Sequence, residues 1–468
     1  MKILLINPPP RKKKRFANFV IPPIGLSYIA SALKQNGFDD VHILDANAMQ
    51  MGWDEFRNYL KSNGPFDIIG LTGMTPIIDR SYKAIKIARK HCKHIVLGGP
   101  HASIYLEKCF KDCPEIDYLV LQEGEITTPL LFKRIEDGKP VDDMKGIAFK
   151  KKGKVVVNPS VGLIEDLDTV PMPARELLPM SKYRYPISKH KNIDVIITSR
   201  GCPYNCIFCN KVMFGNKWRA RSAKNVIKEI ETVIEKYKIK SFIFYDDLFT
   251  FDIKRVKEIC RLMIQKKINI EWKCEGRVNI MDKEMLNLMK KAGCTLISYG
   301  VESCNQKSLN FLRKGTTPEQ IKKAFKMTKD AGIQTMAYLI IGIPGETRED
   351  AIRTIEFAEE IDADYVQISV LTPMEKTPLH DLAKEKGWIK KSKAKNPFDA
   401  EKERDVLSTG DIPPEEIEAL VKEAHRRFLL NRKYLLKSIK RIRSMNQLKN
   451  LVITGMDYLY WLSKRDNE

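Results

Sequence analysis

No stretch of about 18 uncharged apolar residues occurs in this chain of 468, so no helix is expected to cross a membrane. The opening MKILLINPPP has too short an apolar run for a secretory leader, and no small-residue cleavage site follows it. It reads as a first strand, and the expected compartment is the cytoplasm. Ten cysteines in so long a chain are too few for a disulfide scaffold, and a reducing compartment favours metal or catalytic use. The most informative shortage is of a fourth cysteine in the stretch Thr198–Asn210, TSRGCPYNCIFCN. Cys202, Cys206 and Cys209 stand there as CxxxCxxC, just after the apolar run Val195-Ile196-Ile197, and no further cysteine follows nearby. Cysteine thiolates hold iron–sulfur clusters. Three of them account for three irons of a cubane and leave one iron open to a non-protein ligand.

Acidic residues are also scarce: 59 against 81 Lys and Arg, a net charge of +22. That imbalance predicts attraction to something anionic, such as nucleic acid, lipid headgroups or a phosphorylated substrate. Arg11–Arg15 reads RKKKR, and Ala424–Met456 holds nine Lys or Arg and no acid. The seven other cysteines, Cys92, Cys109, Cys113, Cys260, Cys274, Cys294 and Cys304, are scattered. Cys109 and Cys113 look like half a metal site, but no CxxC completes them, so they read as structural.

What is present is a strand–helix rhythm. Residues 1–140 alternate short apolar runs with amphipathic stretches, which predicts a doubly wound, flavodoxin- or Rossmann-like sheet with helices on both faces. Ligands bind such sheets at the carboxyl ends of the strands. Small and polar residues gather at those ends: Asn7-Pro8-Pro9, Thr72–Thr75, Gly98–Ser103 and Glu123-Gly124-Glu125. Residues 141–192 read as a linker broken by prolines, with a hairpin turning at Lys152-Gly153. Residues 193–395 repeat strand and helix six times, which fits a partial (β/α)6 barrel of the TIM type. Chemistry in such barrels sits where strands end, and Asp246-Asp247, Arg277, Glu302 and Gly342 all fall there. Residues 396–468 read as a basic, amphipathic helical C-terminal region. Its apolar stripe runs through Ile417, Leu420, Ala424, Phe428, Leu435, Ile439 and Ile442, and Tyr458, Tyr460 and Trp461 follow. Such a helix suits peripheral contact with the inner face of a membrane.

The first half resembles the cobalamin-binding domain at the front of many radical S-adenosylmethionine enzymes. The residues that carry the resemblance are NPPP (Asn7–Pro10), PPIGLSYIASAL (Pro22–Leu33), GLTGMT (Gly70–Thr75), GGPHAS (Gly98–Ser103) and EGE (Glu123–Glu125). The resemblance implies cobalamin contacts from Asn7, Thr72, Thr75, Gly98, Gly99 and Glu123. Domains that ligate cobalt through histidine carry DxHxxG after the first strand, where this chain has RKKKR. Asp40-Val41-His42 precedes a different strand, and His101 reads as a loop residue of its turn. The expectation is therefore cobalamin bound without a histidine ligand. Gln122 also stands where a glycine often precedes the EGE.

The second half is similar to the radical S-adenosylmethionine core, and the whole resembles the class B methyltransferases of that family. The resemblance implies a 4Fe–4S cluster on Cys202, Cys206 and Cys209, with the methionyl end of S-adenosylmethionine on the fourth iron. It assigns Phe208 to the cofactor's surroundings, Asp246 and Asp247 to the methionyl amine, Glu302 to the ribose and Gly342, with Ile343 and Pro344, to the adenine. Arg277 would pair with the carboxylate, since guanidinium and carboxylate match bidentately. It implies formation of a 5′-deoxyadenosyl radical, electrons from a flavodoxin or ferredoxin, and cobalamin-mediated methyl transfer to an unactivated carbon of a small-molecule or lipid substrate. No catalytic residue is singled out beyond the cofactor contacts. Pro373–Leu379 departs from the PGTPL usual at that point, which bears on substrate choice. Other outcomes are radical cyclisation or rearrangement, modification of a nucleic acid such as tRNA, or a cobalamin-binding sensor with a structural cluster. No RNA-binding module is recognisable, and basic charge alone is non-specific, so nucleic acid is not the expected partner. A structural cluster would favour a closed set of four ligands.

Overall fold

The computed structural model describes residues 1–11, 19–392, 404–409 and 411–431, with isolated positions between 436 and 456. RKKKR beyond Arg11, and most of the basic tail beyond 431 with Leu435, Ile439, Tyr458, Tyr460 and Trp461, lie outside the described residues. The chain forms two compact units. The first comprises Met1–Tyr185 together with Lys211–Ala220; the second takes Pro186–Asn210 and most of the chain from Arg221 on.

The first unit is built on strands Ile3–Asn7, Val41–Asp45, Phe66–Thr72, Cys92–Gly98 and Tyr118–Val120. They run parallel in the spatial order second, first, third, fourth, fifth. Alternation along each strand divides the core. Leu4, Ile6, Ile69 and Leu97 face helices Trp53–Asn63 and Ile78–Ala88, through Phe56, Leu60 and Ile85. Ile3, Leu5, Ile68 and Val96 face helices Ile24–Gln35 and Gly124–Glu136, through Leu26, Leu33, Leu131 and Phe132. Burial on both faces is why these strands read as continuous apolar runs. The hairpin assigned to the linker is part of this sheet: Ile147–Lys151 and Lys154–Val157 extend it antiparallel to Tyr118–Val120, which makes the sheet mixed. Lys152 and Gly153 both take positive φ, the turn geometry that matches strand twist.

The second unit holds six parallel strands, each beside its predecessor: Asp194–Ile196, Ser241–Phe244, Glu271–Gly276, Cys294–Glu302, Gln334–Ile341 and Tyr365–Val370. The connecting helices start on side-chain caps, which fixes where each strand-end loop stops. Ser222, Asp252, Asp282, Thr317 and Thr347 each accept a first-turn backbone N–H, and Thr317 and Thr347 form reciprocal capping boxes with Gln320 and Asp350. Behind the sheet Trp272 packs on Phe244 and Phe249, with ring centroids 5.0 and 5.5 Å away.

The helix begun by Pro413-Pro414 spans Pro414–Leu430. Its stripe Ile417, Leu420, Ala424 and Phe428 is buried in the protein. Ile417 packs so closely on Gly342 that a Cβ there would lie 2.9 Å from its Cδ1. Among the described residues no helix is long and apolar enough to cross a membrane.

Candidate active site

The first strand of the second unit runs into the cysteine loop, which is pinned at several points. Gly201 N donates to Asp247 Oδ2 at 3.0 Å, Ile207 N to the Leu312 carbonyl at 3.1 Å, and Asn210 Nδ2 to the Glu375 carbonyl at 2.9 Å. Ile207 is buried with Leu312, Ile343 and Leu371, and Phe208 packs on that group. None of the three cysteines is in a disulfide; Cys206 is buried, Cys202 half-buried and Cys209 exposed. Among the described residues no three His, Cys, Asp or Glu converge as ligands of a single ion. A cubane asks for a different arrangement, because each thiolate binds its own iron and the three need not meet at one point.

The strand ends around this loop are tied together. Asp246 is buried and accepts from Thr198 N at 2.6 Å, Thr198 Oγ1 at 2.5 Å and Ser199 Oγ at 2.7 Å. Burial holds its carboxyl above the ordinary range, while the Arg255 charge and these donors pull the other way. It therefore anchors the segment that leads into the cysteine loop. Asp247, next in sequence, is exposed. Arg277 lays its guanidinium 3.7 Å over the centre of the Tyr204 ring, inside the cysteine loop, and donates to Asn279 Oδ1 and the Lys314 carbonyl. Glu302 is buried and paired with Lys314 at 2.5 Å. Gly342 N and Ile343 N donate to the same oxygen of Glu346, at 2.9 and 3.2 Å.

In the first unit the strand-end loops also hold one another. Gly99 has φ +94, and a Cβ there would lie 2.9 Å from the Gly73 carbonyl and 3.3 Å from Thr72 Oγ1. Gly73 N donates to the Gly98 carbonyl at 2.7 Å, and His101 N to the Gly73 carbonyl at 2.9 Å. Asn7 Nδ2 donates to Asp45 Oδ1, and Asp45 also accepts from Tyr183 at 2.9 Å. His101 is buried; its ring nitrogens meet the Tyr82 hydroxyl at 3.3 Å and Thr75 Oγ1 at 3.2 Å, and burial lowers its pKa to about 4. Glu123 forms a buried ion pair with Arg219 at 2.8 Å. His42 meets Asp40 on the surface. Cys109 and Cys113 are buried, with Cys113 pushed up to about 12 by that burial.

Two family profiles match: the B12 binding domain over residues 16–132 and the radical SAM superfamily over residues 196–358. An uncharacterized methyltransferase of Pyrococcus horikoshii is 34% identical over 94% of this chain and 95% of its own length. The chain belongs to the B12-binding radical SAM enzymes. An anaerobic magnesium-protoporphyrin IX monomethyl ester cyclase of Rubrivivax gelatinosus is 32% identical over 88% of this chain and 75% of its own. Among solved structures, the radical SAM methyltransferase TsrM of Kitasatospora setae superposes with a TM-score of 0.74 at 19% identity, over 90% of this chain and 88% of that one. That likeness concerns the fold.

A B12-binding radical SAM enzyme requires a 4Fe–4S cluster, S-adenosylmethionine and cobalamin, and the residues present fit them. Three thiols outside any disulfide, in one pinned loop, supply the cluster's donor set. In the first unit the order second, first, third puts the topological switch point between strands Ile3–Asn7 and Phe66–Thr72, so Asn7 and Thr72 end the two strands that flank it. Sequence reasoning missed Tyr204, Lys314, Glu346 and Arg219, which brace the assigned residues. Tyr204, Lys314 and Arg219 meet partners far enough along the chain that a single sequence does not reveal the pairs, whereas Glu346 bonds to Gly342 and Ile343 only a few residues before it, so the GIPGE stretch itself carried that signal.

Proposed function

We propose that this chain is a cobalamin-dependent radical SAM methyltransferase that acts on an unactivated carbon of a small-molecule substrate. The observation that carries the reading is the joining, in one chain, of a B12-binding unit to a radical SAM unit with an incomplete cysteine set. The relative from Pyrococcus horikoshii, described as a methyltransferase and matched almost end to end, supports it. When bound, the cluster and S-adenosylmethionine supply radical chemistry, and cobalamin supplies a methyl carrier.

The chain's own part is to hold and orient. Cys202, Cys206 and Cys209 would ligate three irons. Asp247, exposed beside the loop, is the acid better suited to the methionyl amine; Asp246, its oxygens occupied by Thr198 and Ser199, sets the loop's approach. Glu302 would take the ribose and the Gly342–Pro344 turn the adenine. Ile207, Ile343 and Leu371 keep water from the back of the loop.

The test is anaerobic reconstitution with iron, sulfide, cobalamin, a strong reductant and S-adenosylmethionine carrying a deuterated methyl group. Formation of both 5′-deoxyadenosine and S-adenosylhomocysteine, with deuterium in a product carbon, is expected. Turnover of a genuine substrate to 5′-deoxyadenosine alone would overturn methyl transfer. That outcome would favour the second reading, ring formation, which the 32% identical cyclase relative motivates.

A further inference from the structure

Lys314 occupies a junction between the cysteine loop and the acid assigned to the ribose. It lies between helices Gln306–Phe311 and Pro318–Asp330. Its ammonium is 2.5 Å from Glu302 Oε1, and the two side chains are only 10% and 7% exposed. The pair crosses the space a side chain at Gly300 would need: a Cβ there would overlap both Glu302 Oε1 and Lys314 Nζ. Glu302 itself has φ +64, at a bulge in the pairing of Cys294–Glu302 with Gln334–Ile341. A non-glycine residue keeps that conformation when its surroundings over-determine it. The same short segment also reaches the cysteine loop. The Lys314 carbonyl accepts from Arg277, whose guanidinium covers the Tyr204 ring, and the Leu312 carbonyl accepts from Ile207 N.

We propose that Lys314 is a positioning residue of the S-adenosylmethionine site. Its ammonium holds the Glu302 carboxylate aimed, while its main chain keeps Arg277 against the cysteine loop. A charge-assisted hydrogen bond to one carboxylate oxygen fixes the side chain's orientation and leaves the other oxygen to accept from a ligand. With Lys314 on Oε1, Oε2 and the remaining lone pair of Oε1 can accept from the paired hydroxyls of a ribose. The proposal rests on Glu302 meeting that ribose, and the experiment separates the two.

The measurement is the dissociation constant of S-adenosylmethionine for the cluster-loaded full chain, by equilibrium dialysis. The electron paramagnetic resonance spectrum of the reduced cluster is recorded with and without the ligand. Glu302→Gln and Lys314→Met are each expected to weaken binding about tenfold or more, the scale of a charge-assisted hydrogen bond. The double variant is expected to be no weaker than the worse single one, because the two act as a unit. Gly300→Ala keeps both charges but displaces them, so it should weaken binding too, and Lys314→Arg should recover part of the affinity. At saturating ligand the spectral change is retained, since the cysteines are untouched. Wild-type affinity in Glu302→Gln would overturn the ribose assignment. Weakened Glu302→Gln beside a wild-type Lys314→Met, or independent penalties that multiply in the double variant, would overturn the role of Lys314. If Lys314→Met fails to load its cluster, Gly300→Ala decides, and wild-type affinity there refutes the proposal.

Discussion

Replacing Glu123 by glutamine is expected to loosen the first unit rather than to empty a ligand site. Arg219 Nη1 lies 2.8 and 3.1 Å from the two Glu123 oxygens, and Ile164 N donates to one of them at 2.7 Å. The side chains are 0% and 2% exposed, so neither charge can turn to water when its partner is lost. Breaking a buried pair from one side costs about 3–5 kcal/mol, because the remaining charge stays desolvated. The glutamine oxygen still accepts one hydrogen bond, and Arg219 keeps the Ile164 and Phe214 carbonyls, which favours the lower end, about 3 kcal/mol. With a urea slope of about 3 kcal/mol per molar, the midpoint falls by about 1 M. Far-ultraviolet dichroism of the full chain in urea reads this, with cobalamin binding followed by absorbance on the same samples. Arg219→Met is expected to lose a similar amount, and the apolar pair Glu123→Leu with Arg219→Leu to recover most of it. A wild-type midpoint in Glu123→Gln combined with weakened cobalamin binding would refute the reasoning and return Glu123 to the ligand.

Gly99→Ala forces a side chain into φ +94 and toward the Gly73 carbonyl; a loss of about 1–3 kcal/mol and of cobalamin binding is expected, with the cluster spectrum intact, and unchanged binding would contradict it. Glu346 is 1% exposed, and burial raises its carboxyl to about 7 against the donors of Gly342 and Ile343. A raised acid favours the fold below its unfolded pKa, so this contribution is present at low pH and is lost as pH rises from about 4.5 through about 7, by about 3 kcal/mol. Glu346→Gln removes that slope, and denaturation midpoints of the two proteins that run parallel from pH 4.5 to 8 would exclude it. Cys206→Ala is expected to abolish iron binding and the cluster's visible absorbance, whereas Cys113→Ala, which removes a thiol kept protonated by burial, leaves both unchanged; iron loss in the second variant would reopen the question of a second metal site.

The elements were readable because their signals are local. Apolar runs at Ile3–Asn7 and Phe66–Thr72, and caps such as Thr317 with Gln320, lie within a few residues of what they determine. The place of the hairpin at Lys152-Gly153 was not readable. Its turn residues announce two strands, but nothing nearby says that Ile147–Lys151 pairs with Tyr118–Val120 to extend the first sheet. Similarly, the stripe Ile417, Leu420, Ala424 and Phe428 has the spacing of any amphipathic helix. Only the fold reveals that it is buried in the protein rather than turned to a lipid surface.

The same limit explains the cofactor residues. A sequence exposes an acid or glycine at a strand end, and the family likeness offers it to a ligand, yet side chains at such ends also have to hold the loops that form the site. Asp246 binds Thr198 and Ser199, Glu123 binds Arg219, and Gly99 makes room for the backbone of Gly73. Each contact is short, buried and made between parts of the chain distant in sequence. Such contacts fix the loops before any ligand arrives, which lowers the ordering cost of binding. Holding a loop and meeting a ligand are not exclusive: Glu302, buried and braced by Lys314, is the acid proposed for the ribose. Asp247, proposed for the methionyl amine, lies exposed beside buried Asp246. Both adjacent acids hold the cysteine loop, Asp246 through Thr198 and Ser199 and Asp247 through Gly201, and only Asp247 is exposed as well.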